Sequence, residues 1–141
     1  KPIALFQATP IGLAVLKDSQ FKSLDDLVKF AKENPGAVTT GGSGTWSGHH
    51  IANLQFGKLA GIQTTYIPES GAAKSIAAFL GGHVKAVWAN SNDLVQHADK
   101  IRVLGEGGGY MCSPAHIVQA DTSMGNVEAF IAAAKKHGVY G

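Results

Sequence analysis

The chain has 141 residues, 45% hydrophobic and 16% charged, a length and composition that suit one domain with a hydrophobic core and exclude a disordered chain. Its net charge is +2 and Arg102 is its single arginine, which argues against a nucleic-acid-binding surface, because such surfaces are basic and rich in arginine. The single cysteine, Cys112, excludes an intrachain disulfide framework, and we interpret it as a small buried hydrophobe.

Strands and helices are predicted to alternate along the first hundred residues. Residues 3–16 indicate two short strands or one bent strand, in which Pro10 marks an edge, a bulge or a hinge. Ser23, followed by acidic residues, predicts the start of a helix that ends at 34–36. Further strands are predicted at 37–40, 63–67, 84–89 and 101–104, and further helices at 49–60, 72–80 and 93–99. This alternation is typical of βαβ units and predicts a three-layer α/β domain whose mostly parallel sheet is covered on both faces.

The sequence changes character after Leu104. A glycine run at 105–109 is followed by an irregular or strand-like segment at 110–120 and a predicted helix at 124–137. We therefore predict an α/β domain over 1–104 and a tail of different character over 105–141. No apolar run reaches the roughly 18 residues of a membrane helix. The start of the chain lacks the parts of a signal peptide, so we expect a mature fragment or a chain that something precedes.

Three predicted loops follow strands and precede helices, at 41–48, 68–72 and 90–92. Ligands of open α/β sheets bind beyond the carboxyl ends of the strands, and helix N-termini attract anions. These loops therefore predict a cleft for a carboxylate or a phosphate. The glycine-rich loop at 41–48 is neither a P-loop, since no lysine follows its last glycine, nor an ordered dinucleotide fingerprint, and a simple tight turn is an alternative.

No catalytic or metal-binding arrangement stands out. Adjacent His49 and His50 point about 100° apart on a helix, whereas a metal pair needs the i, i+4 spacing. We find no Ser-His-Asp order and no paired carboxylates, so we expect neither catalysis nor a cofactor. Trp88 is interpreted as a core residue, whereas Trp46 is either a lid over a ligand or a packing residue.

Several short stretches become informative through their order and spacing. They are 22–27 (KSLDDL), 31–36 (AKENPG), 41–44 (GGSG) with Ser47, His50 and Phe56, then Pro68, Gly71 and Ala73, 80–84 (LGGHV), and Asn90. In this respect residues 1–104 resemble the second lobe of the Bug-type extracytoplasmic solute receptors of tripartite tricarboxylate transporters.

The resemblance implies a non-catalytic periplasmic binding protein, in which two α/β lobes close over a small organic carboxylate and which works with membrane transporter subunits. Only one lobe is covered here. The residues that match the ligand-facing loops are Ser43, Gly44, Thr45, Ser47, His50, Ser70, Gly71, Ala72 and Asn90. A lobe without its partner exposes apolar surface, so we also expect a homodimer or a domain-swapped assembly.

Three positions depart from the family pattern. Glu69 and Ser70 replace a Tyr-Lys pair, and Lys85 replaces an aspartate. A glutamate facing the cleft repels a carboxylate, which leaves the identity of the ligand open.

The tail resembles a different family. Residues 107–122, followed by Asn126 and Val127, are similar to the last strand and helix of the uroporphyrinogen decarboxylase superfamily, TIM barrels that include corrinoid-dependent methyltransferases. There His116 would be a site residue, but one strand and one helix do not make a barrel. Three hypotheses follow: a receptor lobe that binds a carboxylate, an enzyme fragment that uses the tail, or a fused or engineered chimera without activity.

Overall fold

The computed structural model describes residues 10–104, which alternate between strands and helices as predicted. The elements are β1 (Ile11–Leu16), α1 (Leu24–Glu33), β2 (Val38–Ser43), α2 (Gly48–Ala60), β3 (Thr64–Glu69), α3 (Ala72–Leu80), β4 (Ala86–Asn90), α4 (Ser91–Gln96) and β5 (Ile101–Val103). The glycine run, Cys112, His116 and the predicted helix at 124–137 lie outside the described residues. No helix among residues 10–104 has the length and apolar character needed to cross a membrane.

The five strands form one sheet in the order β3-β2-β4-β1-β5. β2 pairs in parallel with β3 and β4, whereas β1 runs antiparallel to β4 and β5 on either side of it. Four strands therefore share one direction, which confirms a mostly parallel α/β sheet. β1 is an interior strand, and Pro10 stands just before it, where a missing N–H costs no ladder bond.

Helices cover both faces of the sheet, as predicted. On β1, Ile11, Leu13 and Val15 point to one face and Ala14 to the other, in the two-residue period of a strand. The first face packs against α1 and α2, and the second against α3 and α4. Trp88 is 2% exposed in the first core, which confirms its interpretation as a core residue.

The ends of α1 follow from its sequence. The Asp26 amide donates to Ser23 Oγ at 3.1 Å, and the Ser23 amide donates to Asp26 Oδ2 at 2.9 Å, which together form a capping box. Backbone hydrogen bonds, the largest from Lys22, lower the pKa of the Asp26 carboxyl. At the other end the helix stops at Asn34, just before the predicted Pro-Gly turn.

β2 and β3 extend farther than predicted. β2 continues through Gly41 and Gly42 to Ser43, although we expected a loop from residue 41. A Cβ at Gly42 would collide with Tyr66 Oη and lie 2.8 Å from His49 Cβ, so the glycine allows β3 and α2 to approach the strand closely. β3 likewise continues through Pro68 to Glu69, which an edge strand tolerates.

Asn53 of α2 ties the three parallel strands together. Its Oδ1 accepts hydrogen bonds from Thr40 Oγ1 of β2 at 2.9 Å, Thr64 Oγ1 of β3 at 3.0 Å and Trp88 Nε1 of β4 at 3.1 Å. Asn53 is 3% exposed, so these donors satisfy a polar atom that burial would otherwise penalise.

Candidate functional site

The carboxyl ends of β2, β3 and β4 lie side by side at one edge of the sheet. Ser43 and Glu69 are partners in the β2–β3 register, and Asn90 ends the neighbouring strand β4. Each strand leads, within five residues, into the N-terminus of the next helix. The fold thus brings together the three segments that the sequence predicted to face a ligand. They are only partly loops, since 41–43, 68–69 and Asn90 end strands and 91–92 begin α4.

His49 connects two of these strand ends directly. The Ser43 amide donates to His49 Nδ1 at 3.2 Å, and Ser43 Oγ lies 2.7 Å from the same nitrogen. On the other side of the ring, His49 Nε2 lies 3.2 Å from Asn90 Oδ1. Because a backbone N–H can only donate, Nδ1 is the acceptor and Nε2 carries the proton that it gives to Asn90.

The surroundings of His49 favour its neutral form. Burial lowers the pKa of this imidazole, an effect that the hydrogen bond to Asn90 and the nearby Asp93 carboxylate oppose. Protonation at Nδ1 would also set its new N–H against the Ser43 amide. The ring therefore acts as a neutral bridge between the ends of β2 and β4.

Ser43, His49 and Asn90 have the connectivity of a nucleophile, a base and an orienting amide. The sequence alone does not reveal this arrangement, because its three residues come together only in the fold. His49, which would be the base, is only 5% exposed, and its Nδ1 already accepts a hydrogen bond from the Ser43 amide. The neutral Asn90 side chain offers no charge to stabilise an imidazolium. We therefore interpret the arrangement as a structural link that orients Ser43 and Asn90.

The backbone carbonyl of Ser43 collects two hydroxyl donors. Tyr66 Oη donates to it at 2.6 Å, and Ser47 Oγ donates to it as well. Ser47 Oγ also accepts the His50 amide as the N-cap of α2, so its single proton is already used within the loop. Burial raises the pKa of the Tyr66 phenol, which keeps its proton on this bond.

Three aromatic rings stand in a row beside these groups. Trp46 meets His50 edge-on at 5.5 Å between ring centroids, and His50 lies 4.6 Å from Tyr66 at an angle of 32°. The Trp46 amide donates to His50 Nδ1 at 3.1 Å, which places the ring proton of His50 on Nε2. Trp46 is 72% exposed, so the structure does not place it in a core.

The N-terminus of α3 forms another side of the site. Gly71 is its N-cap, and no side chain caps this helix. The amides at the start of a helix have no partner within the helix, so those that begin at Ala72 are free to bind an anion. Ser70 is exposed beside them, and the Glu69 carbonyl accepts the Gly44 amide at 2.8 Å, joining this loop to the end of β2.

The residues predicted from the sequence fall into three groups at this edge. Ser43, Ser47, His50 and Asn90 are half-buried within the hydrogen-bond network, whereas Thr45 and Ser70 are exposed and Gly44, Gly71 and Ala72 supply backbone. The sequence did not indicate His49 and Tyr66 as site residues, because the burial of one residue on a helix or a strand leaves no signal in a single sequence. Within the described part of the chain, no group of three metal-ligating side chains occurs.

This arrangement offers donors rather than a reactive centre. Asn90 Oδ1 is held by His49, which leaves the Nδ2 donors of that amide to another group, and the α3 amides add positive potential.

Residues 1–107 match the family model described as the tripartite tricarboxylate transporter family receptor. The chain belongs to this receptor family. The resemblance of residues 1–104 to these receptors is thereby confirmed.

Two curated relatives are similar over part of the chain. The UPF0065 protein in the gbd 5′ region of Cupriavidus necator is 37% identical over 76 residues, which cover 54% of this chain and 23% of the relative. The UPF0065 protein in the tcbD-tcbE intergenic region of Pseudomonas sp. strain P51 is 26% identical over 106 residues, covering 74% and 32%. The chain thus spans about a quarter to a third of these relatives.

Solved structures share the fold. An R. palustris protein solved with adipate is 27% identical with a TM-score of 0.64, over 70% of this chain and 34% of that one. A TctC solute binding protein from Polaromonas is 18% identical with a TM-score of 0.66, and the match covers 92% of this chain and 52% of that one. MatC from Rhodopseudomonas palustris, solved with malate, is 19% identical with a TM-score of 0.68, and the match covers 77% of this chain and 37% of that one. The predicted binding-protein-like α/β lobe is therefore confirmed.

Proposed function

We propose that this chain forms one wall of a carboxylate-binding site in a periplasmic solute receptor that serves a membrane transporter. The observation that carries the proposal is the convergence of three strand ends on the uncapped N-terminus of α3. Membership of the receptor family supports transport rather than catalysis. The solved relative that holds adipate, a dicarboxylate, supports the ligand class.

The predicted ligand-facing residues have different roles in this proposal. The amides of Gly71 and Ala72 and the hydroxyl of Ser70 donate to a carboxylate, and Asn90 Nδ2 donates from the end of β4, on the far side of β2. Ser43 and Ser47 shape the loop, since their hydroxyl protons already serve His49 and the Ser43 carbonyl. Gly44, Thr45 and His50 line the same loop.

The Glu69 side chain is a specificity element in this proposal. It stands at the end of β3, one residue before Ser70, and adds a negative charge near the α3 N-terminus. A carboxylate that binds there must keep its charge on the helix side of this residue. Glu69→Gln should therefore tighten adipate binding, and more so at low salt, because exposed charges are screened by salt.

The experiment that tests the site changes a single backbone donor. Ala72 is the first residue of α3, where proline is tolerated and removes only the N–H. We expect Ala72→Pro to weaken adipate binding roughly ten-fold, the effect of losing one hydrogen bond to a charged group. Ala72→Ser, which keeps the N–H, is the matched control and should bind like the unmodified chain.

Binding is measured by amide chemical shifts in an NMR titration, because half a cleft binds weakly. Adipate should shift the amides of 70–74, whereas uncharged dimethyl adipate should not. Equal shifts with the acid and the ester, or equal affinities for the two Ala72 variants, would refute a carboxylate site at α3.

A further inference from the structure

The large apolar side chain of Trp46 is mostly exposed to solvent, although burial would be favourable for it. The residue is 72% exposed, whereas the chain's other tryptophan, Trp88, is 2% exposed. Tryptophan carries the largest apolar surface of any side chain, so leaving it in water forgoes a substantial gain in stability. A function in binding would account for keeping such a ring at the surface.

The backbone of Trp46 is also strained. Its φ is +65°, and it is the one non-glycine residue with positive φ among residues 10–104. Residues other than glycine rarely adopt this backbone conformation, and it is most unfavourable for bulky residues. Strain of this kind collects at ligand sites, where the surrounding structure holds it in place.

Two contacts hold Trp46 in this position. Its amide donates to His50 Nδ1 at 3.1 Å, and its ring meets the His50 ring at 5.5 Å and 62°. His50 in turn stacks on Tyr66, whose hydroxyl is bound to the Ser43 carbonyl. The row therefore fixes the indole near the end of β2, while most of its surface stays exposed.

We propose that Trp46 is a stacking platform that makes the site selective for aromatic carboxylates over aliphatic ones. The inference rests on the proposed carboxylate site, which holds the charged group while the indole face covers the ring of the ligand. The planar face of an aromatic ligand can lie offset on the indole face, an arrangement that aromatic pairs prefer and that a flexible aliphatic chain does not offer.

The test compares two dicarboxylates that separate their carboxylates by four carbon atoms. Terephthalate does so through a planar ring and adipate through a flexible chain. We expect the unmodified chain to bind terephthalate roughly three- to ten-fold more tightly than adipate, the range that an aromatic pair adds. The Trp46 indole N–H resonance should shift with terephthalate and stay in place with adipate.

Three variants connect this preference to the ring. Trp46→Gly suits the positive φ and should bring the two affinities within two-fold of each other. Trp46→Phe keeps a ring and should retain part of the preference. Trp46→Asn, which also tolerates positive φ, replaces the glycine variant if that variant fails to give a folded NMR spectrum.

The outcomes separate the two proposals. If adipate binds but terephthalate binds no better, or if the preference survives Trp46→Gly, the platform is refuted and the carboxylate site stands. If neither acid binds, both are refuted for this chain. A shift of the Trp46 indole resonance with terephthalate in the unmodified chain, together with loss of the preference in Trp46→Gly, supports the platform.

Discussion

Gly42 shows how one residue without a side chain shapes the site. It stands in β2 beneath Tyr66 and His49, the two residues that link Ser43 to the neighbouring elements. A methyl group at this position would displace both side chains at once. The glycine is thus required by close packing and not by an unusual backbone conformation.

We expect Gly42→Ala to lower the free energy of unfolding by about 2 kcal/mol, the cost of inserting a methyl group into packed surroundings. Gly44→Ala is the matched control, since a Cβ there meets nothing within 4 Å. Urea denaturation of both variants checks the difference. Equal stabilities would mean that Tyr66 and His49 move aside at no cost.

His49 makes stability depend on pH. Its ordinary pKa of 6.5 applies in the unfolded chain, and burial lowers it in the folded one. Below pH 6.5 the unfolded chain therefore binds more protons than the folded chain, and the free energy of unfolding falls as the pH falls. This part of the stability is fully present above pH 6.5 and is lost as the pH drops toward the lowered value.

Urea denaturation at pH 7.5 and at pH 5.5 measures this effect. We expect a smaller loss of stability between the two pH values in His49→Gln than in the unmodified chain. His83→Gln is the control, because His83 is exposed on the surface. A His49→Gln variant with an unchanged pH dependence would contradict a neutral buried imidazole.

The sequence could not distinguish His49 from its neighbour. Both stand in the first turn of α2, and a rotation of about 100° decides which ring enters the protein. The helix begins at Gly48 after the Ser47 cap, which turns His49 inward and leaves His50 half-buried beside Trp46. Such a difference depends on tertiary packing, which one sequence does not contain.

At the scale of elements, local signals placed α1, α2 and α3 well and the strands less well, and α4 spans Ser91–Gln96 where a helix at 93–99 was predicted. The capping box at Ser23 and the left-handed Gly61 after α2 are chemical markers of helix ends, and both helices end near their predicted positions. β2 was predicted too short because Gly41 and Gly42 are typical of loops. Both glycines lie in β2 because the side chains packed over them leave little room for a Cβ. Those side chains belong to other elements and cannot be recognised from the local sequence.

The direction of β1 was also beyond local signals. Residues 11–16 have the apolar character of an interior strand, but nothing in them indicates pairing antiparallel to both neighbours. Strand direction depends on the path that the chain takes between elements. The mostly parallel sheet was predictable from the alternation of strands and helices, whereas the one reversed strand was not.

Replacing two serines of consecutive helices by alanine should change the free energy of unfolding in opposite directions. Ser47 caps α2, whereas Ser75 is buried in α3 with no partner for its Oγ among residues 10–104. We expect Ser47→Ala to lower the free energy of unfolding by about 1 kcal/mol. Ser75→Ala should raise it by about 1 kcal/mol, because it removes an unpaired buried hydroxyl.

Urea denaturation of the two variants at one pH makes this comparison, with each serving as the control for the other. A loss of stability in Ser75→Ala would show that this hydroxyl has a partner. An unchanged stability in Ser47→Ala would show that the α2 amides find another acceptor.

At the scale of the whole molecule, self-association stays a prediction. Leu59 of α2 and Val95 of α4 are 83% and 76% exposed, and these helices cover opposite faces of the sheet. We expect light scattering to give twice the mass of one chain at high concentration and Leu59→Lys to shift the balance toward single chains. A single-chain mass at every concentration would contradict this expectation.

The division of the chain at 104 also stays a prediction, because residues 105–141 lie outside the described structure. The described sheet ends with β5 at Val103. A chain that stops after Gly105 gives the clearest comparison of its stability with that of the full chain. A truncated chain as stable as the full one would argue against a tail that completes the sheet, and a clear loss of stability would argue for it.

The three hydrogen bonds of Asn53 have a consequence for the order of folding. Its partners Thr40, Thr64 and Trp88 lie 13, 11 and 35 residues away, on three different strands. All three donors reach the amide only after β2, β3 and β4 are aligned and α2 has docked on them. We expect this cluster to form after the rate-limiting step, so that Asn53→Ala accelerates unfolding more than it slows refolding in stopped-flow measurements.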